Sequence, residues 1–503
     1  MAGKVSKKEE TLGKWKKLSL DNYSLENEVK NGERIDFIKL KDIWELKIDE
    51  MTVQHKYDYE IVHPILEKAV METYKFKFVR DLNLNNARIY LYNNGVYKWI
   101  SENEFKGKIA NIVPNLFRRS KDIDEVYKLL LLENDLYIDN SDLNNNENLI
   151  CFKNGFLNLD TMKVENHNSK ETFSIQIPYE YKPLKECKKG VNFERYMDEL
   201  CDGDDIMKNL LLECMGLAIS NIPGYRVKKC LLMVGEKDSG KTQIKKLLTK
   251  LIGTEYCSSS ELSSMSSRNN KFGTSDLYNK RLAGSNDMSY AKIDDMSMFK
   301  QLTGGDTISV EFKGRTPFSY VFTGFLWFLA NDYPRFSGKK EMAIYERFLI
   351  APCTHVVPED MQDPELLNKM LDEGEYIVSL CIEHLINLRK RHYKFITSAK
   401  MDKALERYKV MNNSLLQFGE ECCEVDDRLS KDNRVILPKF RRYYQRWCNE
   451  TGVKKMAITN DNMEFYLKMK YGTDMKKSGG YYYWTNIKMK QEFLDDYGTF
   501  SPS

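Results

Sequence analysis

The sequence has little of what marks membrane, zinc-binding or disulfide-stabilised proteins. Its 503 residues include six histidines and eleven cysteines that are never spaced as CxxC, so we expect no zinc site and reduced thiols. No apolar run reaches the roughly eighteen residues that span a membrane, and the N-terminal residues lack the apolar segment of a signal peptide. The net charge is only +3, so any basic surface has to be local. These absences predict a cytoplasmic, multidomain protein without a membrane partner.

A glycine loop at 235–242, "GEKDSGKT", follows the apolar run "CLLMV" and precedes the helical pattern "QIKKLLTKLIG". It matches G-x-x-x-x-G-K-[ST] at every fixed position, in the strand–loop–helix context that a phosphate-binding loop requires. We therefore predict that ATP and Mg²⁺ bind here, with Lys241 at the phosphates and Thr242 at the metal. The residues predicted to contact the nucleotide are Gly235, Glu236, Lys237, Asp238, Ser239, Gly240, Lys241, Thr242 and Gln243.

A hydrolase also needs a carboxylate at the metal and the attacking water, at the end of a neighbouring strand. Asp287 in "KRLAGSNDMS" is the predicted catalytic acid and metal ligand, although the strand before it is rich in poor strand formers. Asp294 and Asp295 in "AKIDDMSMF" are alternatives, and their ordinary interpretation is the exposed first turn of a helix.

Three further positions are candidates beyond the loop. The stretch "FKQLTGGDTISVEFKGRTPFSY" predicts a hairpin, which is either an ordinary surface hairpin or one that holds a DNA phosphate with Lys313 at its tip. Asn331 follows the apolar strand "GFLWFLA" and either orients water at the γ-phosphate or ends the strand in a turn. Arg347 is either part of a solvated pair with Glu346 or an arginine supplied to the ATP of a neighbouring subunit.

Taken in order, these segments resemble the superfamily 3 helicase domain, and more closely the helicase half of phage, plasmid and poxvirus-type primase-helicases. The five segments that carry the resemblance are "GEKDSGKT", "RLAGSNDMS", "KQLTGGD", "FLANDYP" and "YERFLIAP". The chain looks most similar to replication-initiator helicases of Gram-positive phages and phage-inducible chromosomal islands. The resemblance implies that Asp287 is the acid, Asn331 the sensor and Arg347 a finger acting in trans, while Lys300 and Lys313 lie in the DNA-contacting segments. Asn286 and Glu346 depart from the pattern of many relatives.

The implied fold is α/β: a P-loop AAA+-like core with a mainly helical N-terminal region and a C-terminal winged-helix-like domain. Residues 1–145 contain the amphipathic stretches "IWELKIDEM" and "DIDEVYKLLLLE" and a hairpin pattern, "ARIYLYNNGVYKWI"; we assign them to oligomerisation. They lack paired acidic residues of the h-x-D-x-D kind, so a primase domain is expected to be absent. The remaining predicted parts are a pre-helicase segment at 146–204, the ATPase domain at 205–370, a helical linker at 371–425 and a DNA-binding domain at 426–503.

Basic residues of the last part are interleaved with aromatic ones. Lys439, Arg441, Arg442 and Arg446 share a predicted helix with Tyr443, Tyr444 and Trp447, and "KKSGGYYYW" predicts a basic wing with Lys476 and Lys477 at phosphates. Core packing is the ordinary interpretation of the aromatic residues, so we expect the basic ones, Arg441, Arg442, Lys476 and Lys477 foremost, to contact DNA.

The function favoured by the sequence is an ATP-dependent replicative DNA helicase and replication initiator of a phage or mobile element. The resemblance implies a homohexameric ring that moves 3′-to-5′ on single-stranded and forked DNA, binds origin duplex DNA, and works with host replication proteins in the bacterial cytoplasm. The alternative is a P-loop ATPase that binds or remodels origin DNA without unwinding it. A small-molecule kinase is disfavoured because nothing after the loop resembles an acceptor lid.

Overall fold

A computed structural model describes most of the chain between residues 38 and 497. The described ranges are 38–47, 52–80, 87–113, 118–261, 273–286, 296–313, 317–334, 342–426, 434–456 and 459–497. Within these ranges, no helix combines the length and the apolar character needed to cross a membrane. All eleven cysteines are free thiols.

The N-terminal unit is a four-stranded sheet covered by helices, with a long hairpin before it. Its elements are β1 (Ile38–Lys47), β2 (Thr52–Ile61), α1 (His63–Thr73), β3 (Phe76–Val79), β4 (Arg88–Asn93), β5 (Val96–Ile100), α2 (Glu102–Ile112), α3 (Ser120–Leu130) and β6 (Tyr137–Ile138). The sheet order is β5-β4-β3-β6, in which only β3 and β6 are parallel. The predicted hairpin is confirmed as β4–β5, turning at Asn94 (φ 47°) and Gly95 (φ 94°), the left-handed conformations of a tight hairpin turn.

The prediction of a mainly helical N-terminal region is wrong, because the described part of it contains six strands. The stretch "DIDEVYKLLLLE" does form a helix, α3. The stretch "IWELKIDEM" does not: Ile43–Lys47 belongs to β1, which pairs over ten residues with β2. The pattern of β2, "TVQHKYDYEI", alternates in the manner of a strand, and pairing with this neighbouring strand overrides the local helical pattern of β1.

A short three-stranded sheet links this unit to the next. It consists of β7 (Leu149–Phe152), β8 (Gly155–Asn158) and β9 (Lys163–Glu165), all antiparallel. The first two are joined by a tight turn at Lys153 and Asn154. The polar stretch before them, 139–148, is held in place: Arg226 Nη2 donates to Glu147 at 2.5 Å, and Asn144 Nδ2 donates to Ser174 Oγ at 2.7 Å.

The central unit contains a five-stranded, all-parallel sheet. Its helices and strands are α4 (Val191–Cys201), α5 (Asp205–Ile219), β10 (Cys230–Gly235), α6 (Lys241–Ile252), β11 (Cys257–Ser258), β12 (Leu282–Ala283), α7 (Ser297–Gly304), β13 (Thr307–Val310), β14 (Phe318–Val321), β15 (Phe325–Ala330), α8 (Met342–Tyr345), β16 (Phe348–Cys353), α9 (Leu366–Asp372), α10 (Gly374–Lys390) and α11 (Ala399–Met411). The sheet order β11-β12-β15-β10-β16 places β10 between β15 and β16. A parallel sheet of this kind is compatible with a P-loop core.

Both faces of this sheet are buried, as the continuous apolar runs of its strands require. Leu231 and Met233 of β10 face a core formed with α4, α5, α6 and α10. Cys230 and Leu232 face a second core, which includes residues of α7, the β13–β14 hairpin and α11. The sheet is thereby fixed from both sides, and its carboxyl edge is a rigid support for a site.

The C-terminal unit combines helices with two small strand pairs. Its elements are α12 (Ser414–Cys422), β17 (Cys423–Val425), α13 (Leu437–Thr451), α14 (Asn460–Tyr471), β18 (Met475–Ser478), β19 (Tyr481–Trp484), β20 (Ile487–Met489) and α15 (Gln491–Tyr497). Strands β18 and β19 form an antiparallel hairpin across Gly479-Gly480, and β17 pairs with β20. Trp447 is 2% exposed and packs against Phe418, so the core-packing interpretation of this tryptophan is confirmed.

Candidate functional site at the carboxyl edge of the parallel sheet

The glycine loop connects the central strand β10 to α6. A Cβ atom at Gly235 would lie 2.1 Å from the carbonyl oxygen of Cys353 on β16, so only glycine fits at the end of this strand. Asp238 (φ 61°) and Gly240 (φ 83°) both adopt left-handed backbone conformations. Such turns direct main-chain N–H groups into a common concavity that suits an anion, and α6 adds the positive end of its dipole.

The loop is held by contacts from three directions. Lys241 Nζ donates to the Glu236 carbonyl oxygen at 2.8 Å. The hydroxyl of Tyr196 on α4 donates to the Gly240 carbonyl oxygen at 2.8 Å. The N–H of Val357 donates to the Asp238 carbonyl oxygen at 3.0 Å. The conformation of the loop is therefore determined by tertiary contacts as well as by its glycines.

Two polar atoms of the loop region are buried and have no hydrogen-bond partner among the described residues: Ser239 Oγ and Gln243 Oε1. A buried polar atom without a partner costs free energy. Because both residues line a cleft, these atoms are placed to meet a polar ligand or water there.

The cleft has a volume of about 1140 Å³ and lies at the carboxyl ends of the strands. Its lining includes Lys237, Asp238, Ser239, Gly240, Lys241, Thr242 and Gln243, which the sequence predicted. Gly235 and Glu236 form the beginning of the loop. Asn331, the first residue after β15, is exposed and also lines the cleft. The structure thus brings the loop and Asn331 together.

The predicted acid, Asp287, lies outside the described residues, as do the alternatives Asp294 and Asp295. The preceding residue, Asn286, is described and lines the cleft. It follows β12, which is only two residues long and pairs with β11 and β15. The end of β12 therefore reaches the cleft beside Asn331.

Arg347 lies at the opposite end of the sheet from the loop. Its carbonyl oxygen accepts from the N–H of Cys230, the first residue of β10, at 2.8 Å, whereas the loop follows the last residue of that strand. Five residue steps of a strand separate the two ends by about 17 Å. The Nη1 of Arg347 donates to the Lys300 carbonyl oxygen (3.1 Å) and to Thr303 Oγ1 (2.5 Å). Arg347 is therefore attached to α7 and not to the cleft of its own chain.

The predicted hairpin is present as β13 and β14. Lys313 is exposed in its connection, while Lys300 is half-buried on α7, which leads into the hairpin. Phe312, next to Lys313, packs against Phe318 and Trp99. The hairpin is thus docked on the N-terminal unit.

An arginine of the N-terminal unit completes this contact. Arg88 is 1% exposed and lies against the rings of both Tyr278 and Phe318, 4.5 Å from each centroid, while the two rings contact each other edge to face. It also donates to Asn140 Oδ1 at 2.7 Å. This cation–aromatic cluster fixes the base of the hairpin to β4.

The predicted DNA contacts of the C-terminal unit differ in accessibility. Lys476 and Lys477 are exposed on β18, and Arg442 is exposed on α13. Arg441 is half-buried and donates to the Asn460 side chain, so it also links α13 to α14. Three of the four residues are therefore exposed on the surface of the unit, and the fourth is partly used in a contact within it.

The far wall of the cleft was missed by sequence reasoning. It is formed by residues of α4 and of the segment after β16, namely Arg195, Tyr196, Glu199, His355, Val356, Val357, Pro358, Met361, Gln362, Asp363, Pro364 and Leu366. These residues carry no short motif, and long-range packing alone places them opposite the loop. No local signal in the sequence identifies them.

Two family models match parts of the chain. Residues 59–202 match a model described as D5 N terminal like. This match fits the resemblance to phage primase-helicases. Residues 233–347 match a model described as a family of unknown function, DUF5906, and this range contains the loop, both strand-end asparagines and Arg347.

Two of the solved structures to which the chain is similar are forms of one protein region. The chain is similar to "The A form apo structure of NrS-1 C terminal region-CTR" with 13% identity and a TM-score of 0.46, covering 84% of this chain and 99% of that one. A second apo structure of the NrS-1 C terminal region has 14% identity and a TM-score of 0.43, covering 84% and 98%.

Proposed function

We propose that the chain is an ATP-dependent replicative DNA helicase and replication initiator of a phage or mobile element. The observation that carries this proposal is the loop 235–242 at the carboxyl edge of a parallel sheet, with Asn286 and Asn331 beside it in one cleft. The match of residues 59–202 to the D5 N terminal like model supports the replication context.

The residues of the loop fit ATP and Mg²⁺. Left-handed turns at Asp238 and Gly240 suit phosphate oxygens, and the buried Ser239 Oγ lacks a partner among the described residues. Lys241 would hold the phosphates, and the hydroxyl of Thr242, in the first turn of α6, would hold the metal. When bound, Mg²⁺ supplies charge neutralisation to the departing phosphate. Asp287 completes the proposed metal site, and Asn331 orients the attacking water.

Arg347 fits a role at the cleft of a neighbouring subunit. It lies a full strand length from the cleft of its own chain, at the beginning of β16. A residue so placed serves catalysis only if a second copy presents its cleft to it, and repetition of that contact closes a ring. We therefore propose a homo-oligomeric ring, a hexamer by the family resemblance, in which Arg347 acts in trans.

The proposed DNA contacts lie on two exposed hairpins. Lys313 in the β13–β14 connection would contact the translocating strand, with Lys300 on α7 before it. The C-terminal unit has the element order of a winged helix, in which β18–β19 is the wing, and Lys476, Lys477 and Arg442 would contact duplex phosphates. We propose 3′-to-5′ movement on forked or single-stranded DNA, and binding of origin duplex DNA by this unit.

A second candidate is a P-loop ATPase that binds or remodels origin DNA without unwinding it. The observation that favours it is the short β12, whose described end contributes an amide, Asn286, to the cleft. Hydrolysis that is unaffected by DNA would be the mark of this activity.

Strand displacement on forked DNA tests the proposal. The wild type is expected to unwind a fork with a 3′ loading strand, while Lys241→Ala and Arg347→Ala fail; Lys250→Ala, at an exposed site on α6, is the matched control. ATP hydrolysis without strand separation would favour the second candidate, and absence of ATP binding would refute both.

Mixing the two inactive variants tests the role in trans. In an equal mixture, about a quarter of subunit contacts join an intact Lys241 to an intact Arg347 of the neighbour. Hydrolysis should therefore reappear on mixing if Arg347 acts in trans. If each Arg347 serves its own chain, the mixture stays inactive.

A further inference from the structure

A second lysine of α6 is buried behind the loop. Lys245, one helical turn after Lys241, is 3% exposed. Its ammonium group donates to the carbonyl oxygens of Gly284 (2.6 Å) and Ser285 (2.9 Å). Both of these bonds go to main-chain oxygens at the end of β12 and neither goes to a carboxylate.

The backbone at the end of β12 is shaped for this contact. Gly284 has φ +134°, and a Cβ atom there would lie 2.3 Å from the carbonyl oxygen of Trp327 on β15. The chain thus departs from strand geometry where only glycine fits, and two successive carbonyl oxygens reach one ammonium group.

The same contact extends to the neighbouring strand. The Ser285 carbonyl oxygen also accepts from the N–H of Leu329 on β15, at 3.2 Å. Asn286 follows Ser285 directly, and Asn331 lies two residues after Leu329; both asparagines line the cleft. The ammonium group therefore joins the helix of the loop to the end of β12, which is bonded in turn to β15, and these two strands precede the two amides.

An apolar residue would cost less free energy to bury at this position than a lysine. Burial of a charge without a carboxylate is costly, and burial lowers the pKa of Lys245 to about 7. A methionine would fill similar space without this cost. A lysine at this position therefore indicates a role for its N–H hydrogen-bond donors, which a methionine lacks.

We propose that Lys245 is a positioning residue that holds Asn286 and Asn331 in register with the loop during nucleotide hydrolysis. The inference rests on the proposed ATPase function. Lys245 does not line the cleft, so its effect is expected on the hydrolysis step and not on binding. Misplacement of catalytic groups by about 1 Å lowers turnover by up to about a hundredfold.

Lys245→Met tests the proposal, with Lys246→Met as the matched control because Lys246 is the next residue and is exposed. Affinity for a fluorescent ATP analogue should stay within about threefold of wild type, while kcat falls at least about tenfold. Lys246→Met should leave both unchanged, and Lys245→Arg, which keeps a cationic donor, should recover part of kcat.

Equal kcat in Lys245→Met and wild type would overturn the proposal. So would parallel loss of affinity and kcat, which marks general damage to the fold. If the methionine variant does not fold, Lys245→Leu, which likewise has no hydrogen-bond donor, takes its place with the same two criteria. A wild type that binds ATP without turnover would overturn the proposed function itself, and this inference with it.

Discussion

Replacement of Lys245 by methionine should change how stability depends on pH. Burial lowers the pKa of this lysine to about 7, whereas in an unfolded chain a lysine has a pKa near 10.4. Between these values the unfolded chain binds more protons than the folded chain, so the free energy of unfolding rises with pH. From pH 7 to pH 9 this rise amounts to about 2 kcal/mol, and Lys245→Met lacks it.

The assay is thermal unfolding of wild type, Lys245→Met and Lys246→Met at pH 7, 8 and 9. A change of about 2 kcal/mol corresponds to about 4–8 °C in the melting temperature of a unit of this size. Between pH 7 and pH 9, the melting temperature of the wild type should therefore rise by about that much relative to the melting temperature of Lys245→Met. Cys257, the nearby thiol whose pKa burial raises to about 11, stays protonated between pH 7 and 9 in the folded state of all three proteins, so its contribution cancels in the difference. A difference between wild type and Lys245→Met that does not vary with pH would refute the reasoning.

Three further results are expected. Gly235→Ala should abolish ATP binding and lower the melting temperature, because the added Cβ atom would lie 2.1 Å from a carbonyl oxygen. Gly107→Ala, whose added Cβ atom would have no atom within 4 Å, should do neither. Equal melting curves for the two variants would contradict this. Arg88→Ala should destabilise the contact between the N-terminal unit and the hairpin by about 2 kcal/mol or more, through loss of its cation–aromatic contacts and the cavity that it leaves. Earlier proteolysis would show this, and unchanged proteolysis would count against it. Replacing Lys476 and Lys477 by alanine should reduce the slope of log affinity for DNA against log salt by up to about 1.8; an unchanged slope would exclude both as phosphate contacts.

The parts of the fold that depend on local pattern were predictable. β10, the loop and α6 follow from a strand–glycine–helix motif, and α6 ends at Gly253 as its sequence indicates. The β4–β5 hairpin follows from Asn94-Gly95. In each case the determining contacts lie within a few residues, so the sequence of the segment specifies its conformation.

The parts that depend on distant contacts were not predictable. β1 was mistaken for a helix for a different reason: its pairing with β2, which begins only five residues further on, overrides the helical pattern of its own residues. The wall of the cleft at 355–366 and the bond from Tyr196 to the loop depend on packing between segments that are tens to more than a hundred residues apart. Lys245 resembles any helical lysine in the sequence, and only its burial distinguishes it from Lys246.

The cluster of Arg88, Tyr278 and Phe318 has a consequence for attempts to divide this protein into working pieces. A chain that begins at residue 146 would lose the guanidinium that covers the two rings, and also Tyr90, whose hydroxyl lies 3.1 Å from that of Tyr278. Apolar ring surface at the base of the hairpin would then meet solvent, and such surface favours self-association. A shortened ATPase is therefore expected to need its N-terminal unit, or compensating polar substitutions at these two rings, to remain dispersed in solution.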